Sequence, residues 1–172
     1  MEMTPCPMQV GGEGHVVEID ETSLKKKSKY NRGKHYPDVW LFGGVDKTTN
    51  KRFGILTYSN RTKPVLTTII KQYIKPGTTI MSDQYASYVS VNQKHTLANY
   101  KPLQLRTGAH TNRIEGTWEI RIKQHIKRMR RMSVNMIPEY LDEYLWRSWF
   151  LPEKATPTDS RRGLIKAIRK YA

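Results

Sequence analysis

The feature that most limits the fold of this chain is a change of hydrophobic period. VVEID (16–20), VWLFGGVD (39–46) and RFGILTYS (52–59) are short runs rich in β-branched and aromatic residues, the pattern of strands. From Arg61 the spacing lengthens: Val65, Leu66, Ile69, Ile70, Tyr73 and Ile74 recur as they would along one side of a helix. After KPG (75–77) the strand pattern returns in TTIMSD (78–83). A chain that alternates between these periods forms layers of the α/β class, a mixed sheet flanked by helices.

Local signals refine the order. KTTNK (47–51) joins the second and third runs as a hairpin connection, and Pro64 suits the first turn of the following helix. Gly77 suits the position after a helix C-cap. QYASYVSV (84–91) is expected to form a short helix and HTLANYKPL (95–103) to hold another strand. HTNRIEGTWEIRIKQHIK, from His110, is a long helix with Ile114, Trp118, Ile122, Ile126 and Met129 in one stripe. Another helix starts near Pro138, with Leu141, Tyr144, Leu145 and Trp149 inward. The division is a flexible leader (1–15), one α/β domain (16–151), then a linker (152–160) leading to a basic C-terminal helix within 152–172.

Composition removes several function classes. At 172 residues and 37% hydrophobic, the chain can bury a core. It has no apolar run of about 18 residues, the length that crosses a bilayer, and no lipidation signal. The N-terminus lacks a signal-peptide pattern, so the expected setting is intracellular: nuclear in a eukaryote, otherwise cytoplasmic. A single cysteine, Cys6, leaves no disulfide framework and no four-cysteine zinc site. No P-loop or Ser-His-Asp order is visible, so no small-molecule cofactor is expected. Thirty Lys and Arg against fifteen acids give +15, which attracts phosphate polyanions. Nucleic acid is the expected partner, and a membrane is not.

Two of the strand runs end on acids, Asp20 and Asp83, and Glu115 lies beside the apolar stripe of the long helix near its start. Burying a lone carboxylate is costly. Three gathered carboxylates would repel one another unless divalent cations neutralise them. Mg²⁺ and Mn²⁺ prefer oxygen ligands, and two such ions about 4 Å apart can serve phosphodiester chemistry. Each acid also has a plain reading: Asp20 and Asp83 as turn caps, Glu115 as a favourable charge at a helix N-terminus.

Their neighbours divide similarly. Glu21 points to the opposite face from Asp20 by strand alternation and suits a supporting role. Asn112 suits a helix N-cap or a phosphate contact. Glu119 either supports the site or pairs with Lys123 one turn on, and Lys123 either contacts DNA or is solvated. His110 could position a phosphate or help order the water nucleophile; a histidine such as it or His95 is more often a hydrogen-bonded structural residue. Lys25, Lys26, Lys27, Lys29 and Arg32, with Lys123, Lys127, Arg128, Arg130 and Arg131, form a plausible track for DNA phosphates. Trp118, Trp146 and Trp149 sit at core spacing, and Gly43 and Gly44 point to a bulge or close backbone contact.

VEIDETSL, KYNRGK, VWLFGGVD, PGTTIMSDQYASY, GAHTNRIEGTW and YLDEYLWRSW follow one another as in Merlin-type DDE transposases. The chain resembles that family over about residues 10–150. The family is similar to bacterial insertion-sequence transposases with an RNase H-like core. The resemblance implies an RNase H-like fold and metal-dependent strand cleavage and strand transfer at transposon ends. It also implies Asp20, Asp83 and Glu115 as catalytic metal ligands, two Mg²⁺ or Mn²⁺ ions, and a homodimer when active. An alternative is a domesticated or decayed remnant that binds DNA without catalysis, since no end-recognition segment of the family's kind is visible. A nuclease or resolvase of the same fold is a third reading.

Overall fold

A computed structural model of the chain describes residues 8–24, 39–82, 97, 99–104, 112–124, 134–152 and 154–171. Among these residues five strands form one mixed sheet: β1 (Val16–Ser23), β2 (Trp40–Asp46), β3 (Arg52–Leu56), β4 (Thr79–Ser82) and β5 (Lys101–Gln104). Their spatial order is β3-β2-β1-β4-β5. β1, β2 and β3 run antiparallel, whereas β4 and β5 run parallel to β1 and to each other. The parallel step requires a crossover. Helix α1 (Lys63–Tyr73) supplies it between β3 and β4.

Strand alternation splits the core in two. Val17, Ile19, Phe42, Phe53 and Ile80 pack against Leu66, Ile69 and Ile70 of α1. On the other face, Leu41 and Val45 meet Ile114, Trp118 and Ile122 of α2 (Asn112–Gly116) and its continuation, together with Leu141 of α3 (Ile137–Phe150). Each of these large apolar side chains contributes roughly 2 kcal/mol by leaving water. A last helix, α4 (Pro157–Tyr171), follows α3.

The structure departs from the sequence expectations in four places. The leader is packed from Val10, which is buried and whose N–H donates to the Tyr73 carbonyl at 2.8 Å. Helix α1 ends at Tyr73, before Gly77, because Ile74 is extended, fully buried and bridged to Val10. Gly77 instead takes φ +82° in the turn that follows. Beyond Gly116 the long helix widens into a π-helical segment, Thr117–Lys123. In an ideal α-helix, residues four apart drift by about 40°. The wider turn offsets this drift and keeps Ile114, Trp118 and Ile122 over the sheet. Finally, α4 begins at Pro157, inside the expected linker. Asp159 accepts the Thr156 N–H at 3.0 Å, while the Thr156 hydroxyl accepts the Asp159 N–H at 3.2 Å, a reciprocal cap. The expected helix at 84–91 and the stripe residues Ile126 and Met129 lie outside the described residues.

Candidate active site

Glu18 is the organising residue on the α2 face of the sheet. It is 1% exposed, and its Oε2 accepts the backbone N–H groups of Arg113 at 2.9 Å and Ile114 at 3.0 Å. Helix starts leave such amides without intrahelical partners, and a carboxylate there also meets the positive end of the helix dipole. Lys47 reaches the other oxygen, Oε1, at 3.0 Å. The Arg113 guanidinium donates to the Lys47 carbonyl, closing the link between hairpin and helix. A strand acid therefore caps a helix 95 residues later in the chain. Its capacity is taken up by two amides and an ammonium.

Asp20 is two residues further along β1, so it shares Glu18's face. It is half-buried, and its register partner on β2 is Gly43. A Cβ at Gly43 would lie 2.3 Å from the Phe53 carbonyl oxygen and 2.8 Å from Trp118. The missing side chain thus lets Trp118 settle against the sheet directly beside Asp20's register position. This is the close contact that the glycines suggested. Glu115 follows Ile114, whose amide Glu18 caps, and is exposed at the edge of the packed stripe. Asp20 and the helix bearing Glu115 are thereby tied to one strand through Glu18.

Asp83 directly follows Ser82, the last residue of β4, and lies outside the described residues. The parallel register aligns Glu18 with Met81. Asp20 is two residues beyond the first of these and Asp83 two beyond the second. Among the described residues, no three His, Cys, Asp or Glu side chains are gathered closely enough to hold a metal ion.

The neighbouring residues sort by face. Glu21 is on the α1 side, where its Oε2 meets the Arg61 guanidinium at 3.2 Å, and Arg61 lies 3.5 Å over the Trp40 ring. Glu119 accepts from Lys123 one turn later on the helix surface. Asn112 opens α2, but its side chain is outside the described residues, and the cap on the next two amides is Glu18. Lys25, Lys26, Lys27, Lys29, Arg32, His95, His110, Lys127, Arg128, Arg130 and Arg131 also lie outside them. Trp118 is core, the Trp149 indole donates to the Arg52 carbonyl at 2.7 Å, and Trp146 stacks on Phe150. Among the described residues no helix is long and apolar enough to cross a membrane.

Sequence reading missed Glu18 and Lys47. The available signal was alternation: Glu18 shares Asp20's face yet sits inside a β-branched run, where a buried acid must find donors.

The chain matches the model of the ISXO2-like transposase domain over residues 10–148. It belongs to that family. This chain has an RNase H-like fold, and the solved structures similar to it include retroviral integrases. One is the simian T-cell lymphotropic virus intasome in complex with PP2A regulatory subunit B56 gamma, with 15% identity and a TM-score of 0.53. That match covers 91% of this chain and 64% of the other. Another is the HTLV-2 integrase catalytic core domain in complex with magnesium, trimeric form: 14% identity, TM-score 0.51, covering 88% of this chain and 97% of that one. Its dimeric form matches at 14% identity and a TM-score of 0.50, over 90% and 99%. No curated protein sequence matches this chain significantly.

Proposed function

We propose that this ISXO2-like domain is a DDE transposase catalytic domain that cleaves DNA strands and transfers the freed 3′ ends. The observation that carries the reading is the Glu18 cap. It ties the helix of Glu115 to the strand of Asp20, on the face where strand alternation would also put Asp83. Asp20, Asp83 and Glu115 are the acids that would meet there.

The donor set fits Mg²⁺ or Mn²⁺, because all three side chains offer hard carboxylate oxygens and Asp20 and Glu115 both retain exposure. A pair of such ions, once bound, supplies charge neutralisation and a more acidic water at the scissile phosphate. The protein's own part is placement: Glu18 and Lys47 hold the helix, and Trp118 on Gly43 sets its height above the sheet. The basic surface holds the DNA backbone. Water attacks a phosphodiester in line and the P–O3′ bond breaks, leaving a 3′-hydroxyl. That hydroxyl then attacks a second phosphodiester, forming a new P–O3′ bond and releasing the target's 3′ oxygen as a hydroxyl. Joining two ends calls for two active sites, so a homodimer is the proposed working form.

The test incubates the full chain with labelled DNA carrying a free 3′ end and Mn²⁺, beside an Asp83→Ala version. Strand-transfer products that vanish in the variant support the reading. Hydrolysis alone would replace it with a nuclease. Metal-independent binding with no product would leave a DNA-binding remnant.

A further inference from the structure

A cleft of about 710 Å³ opens between the β2–β3 turn, the π-helical continuation of α2, and α3. Its walls include the guanidinium-bearing Arg52, Arg121 and Arg147, with Asn50, Tyr140 and Ser148 between them. The one acid among the described lining residues, Glu143, accepts from Arg147 Nε at 2.9 Å and Nη2 at 2.7 Å. Arg52 Nη2 donates to the Asn50 side-chain oxygen at 3.0 Å, while its Nε is buried with no partner among the described residues. A buried donor of that kind is costly unless something accepts from it. The Tyr140 hydroxyl donates to the Arg121 carbonyl at 3.2 Å. Burial, with lesser effects of Tyr144 and Glu143, pushes its pKa up to about 12, so the hydroxyl keeps its proton at ordinary pH.

We propose that this cleft is an anion subsite that seats a backbone phosphodiester of the bound DNA. Among the described lining residues three guanidiniums stand against one carboxylate, a positive balance. Arginine, asparagine, tyrosine and serine are residue types that hold phosphate oxygens without reading bases. Arg121 is six residues past Glu115 on the same helical segment, at most about 9 Å along its axis at the α-helical 1.5 Å per residue, and the two flank the buried stripe Ile114, Trp118 and Ile122 on opposite sides. One DNA strand advances about 3.4 Å per nucleotide. Along that axis the cleft is within roughly three nucleotides of Glu115, so it would hold backbone flanking the scissile bond from the other side of the helix. The proposal rests on the reading that the substrate is DNA, but it does not require that this chain cut it.

The test measures affinity of the full chain for a labelled duplex in EDTA, across a series of salt concentrations. The variants are Arg121→Gln, Arg52→Gln, Arg121→Lys and, as a control, Lys71→Gln on the exposed side of α1. Thermal unfolding checks that each is folded, and Arg121→Gln, at an exposed position, carries the test if Arg52→Gln is not. Loss of one phosphate contact lowers the slope of log K against log salt by about 0.9, or roughly eightfold weaker binding at 0.1 M. That drop is expected for Arg121→Gln and Arg52→Gln, with Arg121→Lys largely restored and Lys71→Gln unmoved. Slopes equal to the unaltered protein in both glutamine variants overturn the subsite, while leaving the DNA reading intact. No duplex binding by the unaltered chain overturns both.

Discussion

Glu18 Oε2 accepts the Ile114 amide at 3.0 Å, so a side chain in the first strand caps the start of a helix 96 residues later in the chain. The relationship is specific: the same oxygen also accepts from Arg113, and Lys47 balances the charge. Stability and the placement of the Glu115 helix are therefore linked through one carboxylate.

Glu18→Ala orphans two helix-start amides, one of them on a buried residue. Lys47 is 39% exposed and can turn to water, which limits the penalty. The expected loss is about 2 kcal/mol, seen as a lower midpoint in urea, with a smaller loss for Glu18→Gln, which keeps an acceptor.

Gly43→Ala pushes a methyl group into the Phe53 carbonyl and the Trp118 ring. The backbone oxygen cannot step aside without breaking the β2–β3 pairing. Overpacking of this sort costs about 1–3 kcal/mol. Denaturation should show it, and the control Gly116→Ala, where a Cβ meets nothing, should not show an overpacking loss.

Asp46 makes stability depend on acid pH. Burial opposes its charge, but hydrogen bonds from the Thr49 hydroxyl, His15 and the Thr48 and Thr49 amides outweigh that and hold its pKa below the usual 3.8. A carboxyl with a lowered folded-state pKa stabilises above its unfolded value. That stabilisation is lost as pH falls from about 4 through the folded-state pKa. Unfolding free energy measured from pH 6 down to pH 2 should fall in that window, and Asp46→Asn should flatten the fall.

Duplex binding in EDTA should weaken steeply with salt, since a net charge of +15 has to act through phosphates. Neutralising four phosphates predicts about a hundredfold loss between 50 and 200 mM. A flat response in a filter or anisotropy titration contradicts the basic-surface account.

Much of the fold was legible because its signals are local. VVEID, the 39–59 hairpin and the stripe Ile114, Trp118, Ile122 each declare their period within one element. Glu18's cap was not legible, since its donors are 95 and 96 residues away. The early end of α1 was hidden for the same reason: burial of Ile74 against Val10 overrides the stop that Gly77 suggests. The π-helical widening answers to packing on a sheet made bare at Gly43. The start of α4 was missed, read as linker, although Thr156 and Asp159 carry a cap's three-residue spacing. For the site, alternation along β1 correctly separated Glu21 from Asp20's face, and helical spacing anticipated the Glu119–Lys123 pair.

The central claim is that Asp20, Asp83 and Glu115 meet around shared divalent ions. Iron-directed cleavage tests it most directly: Fe²⁺ replaces Mg²⁺ in the full chain, ascorbate and peroxide are added, and the backbone cuts are mapped. The account predicts cuts near all three acids together, suppressed by excess Mg²⁺ and lost at all three positions in Asp20→Asn. Cuts near only one of them, or cuts unchanged in that variant, would contradict it.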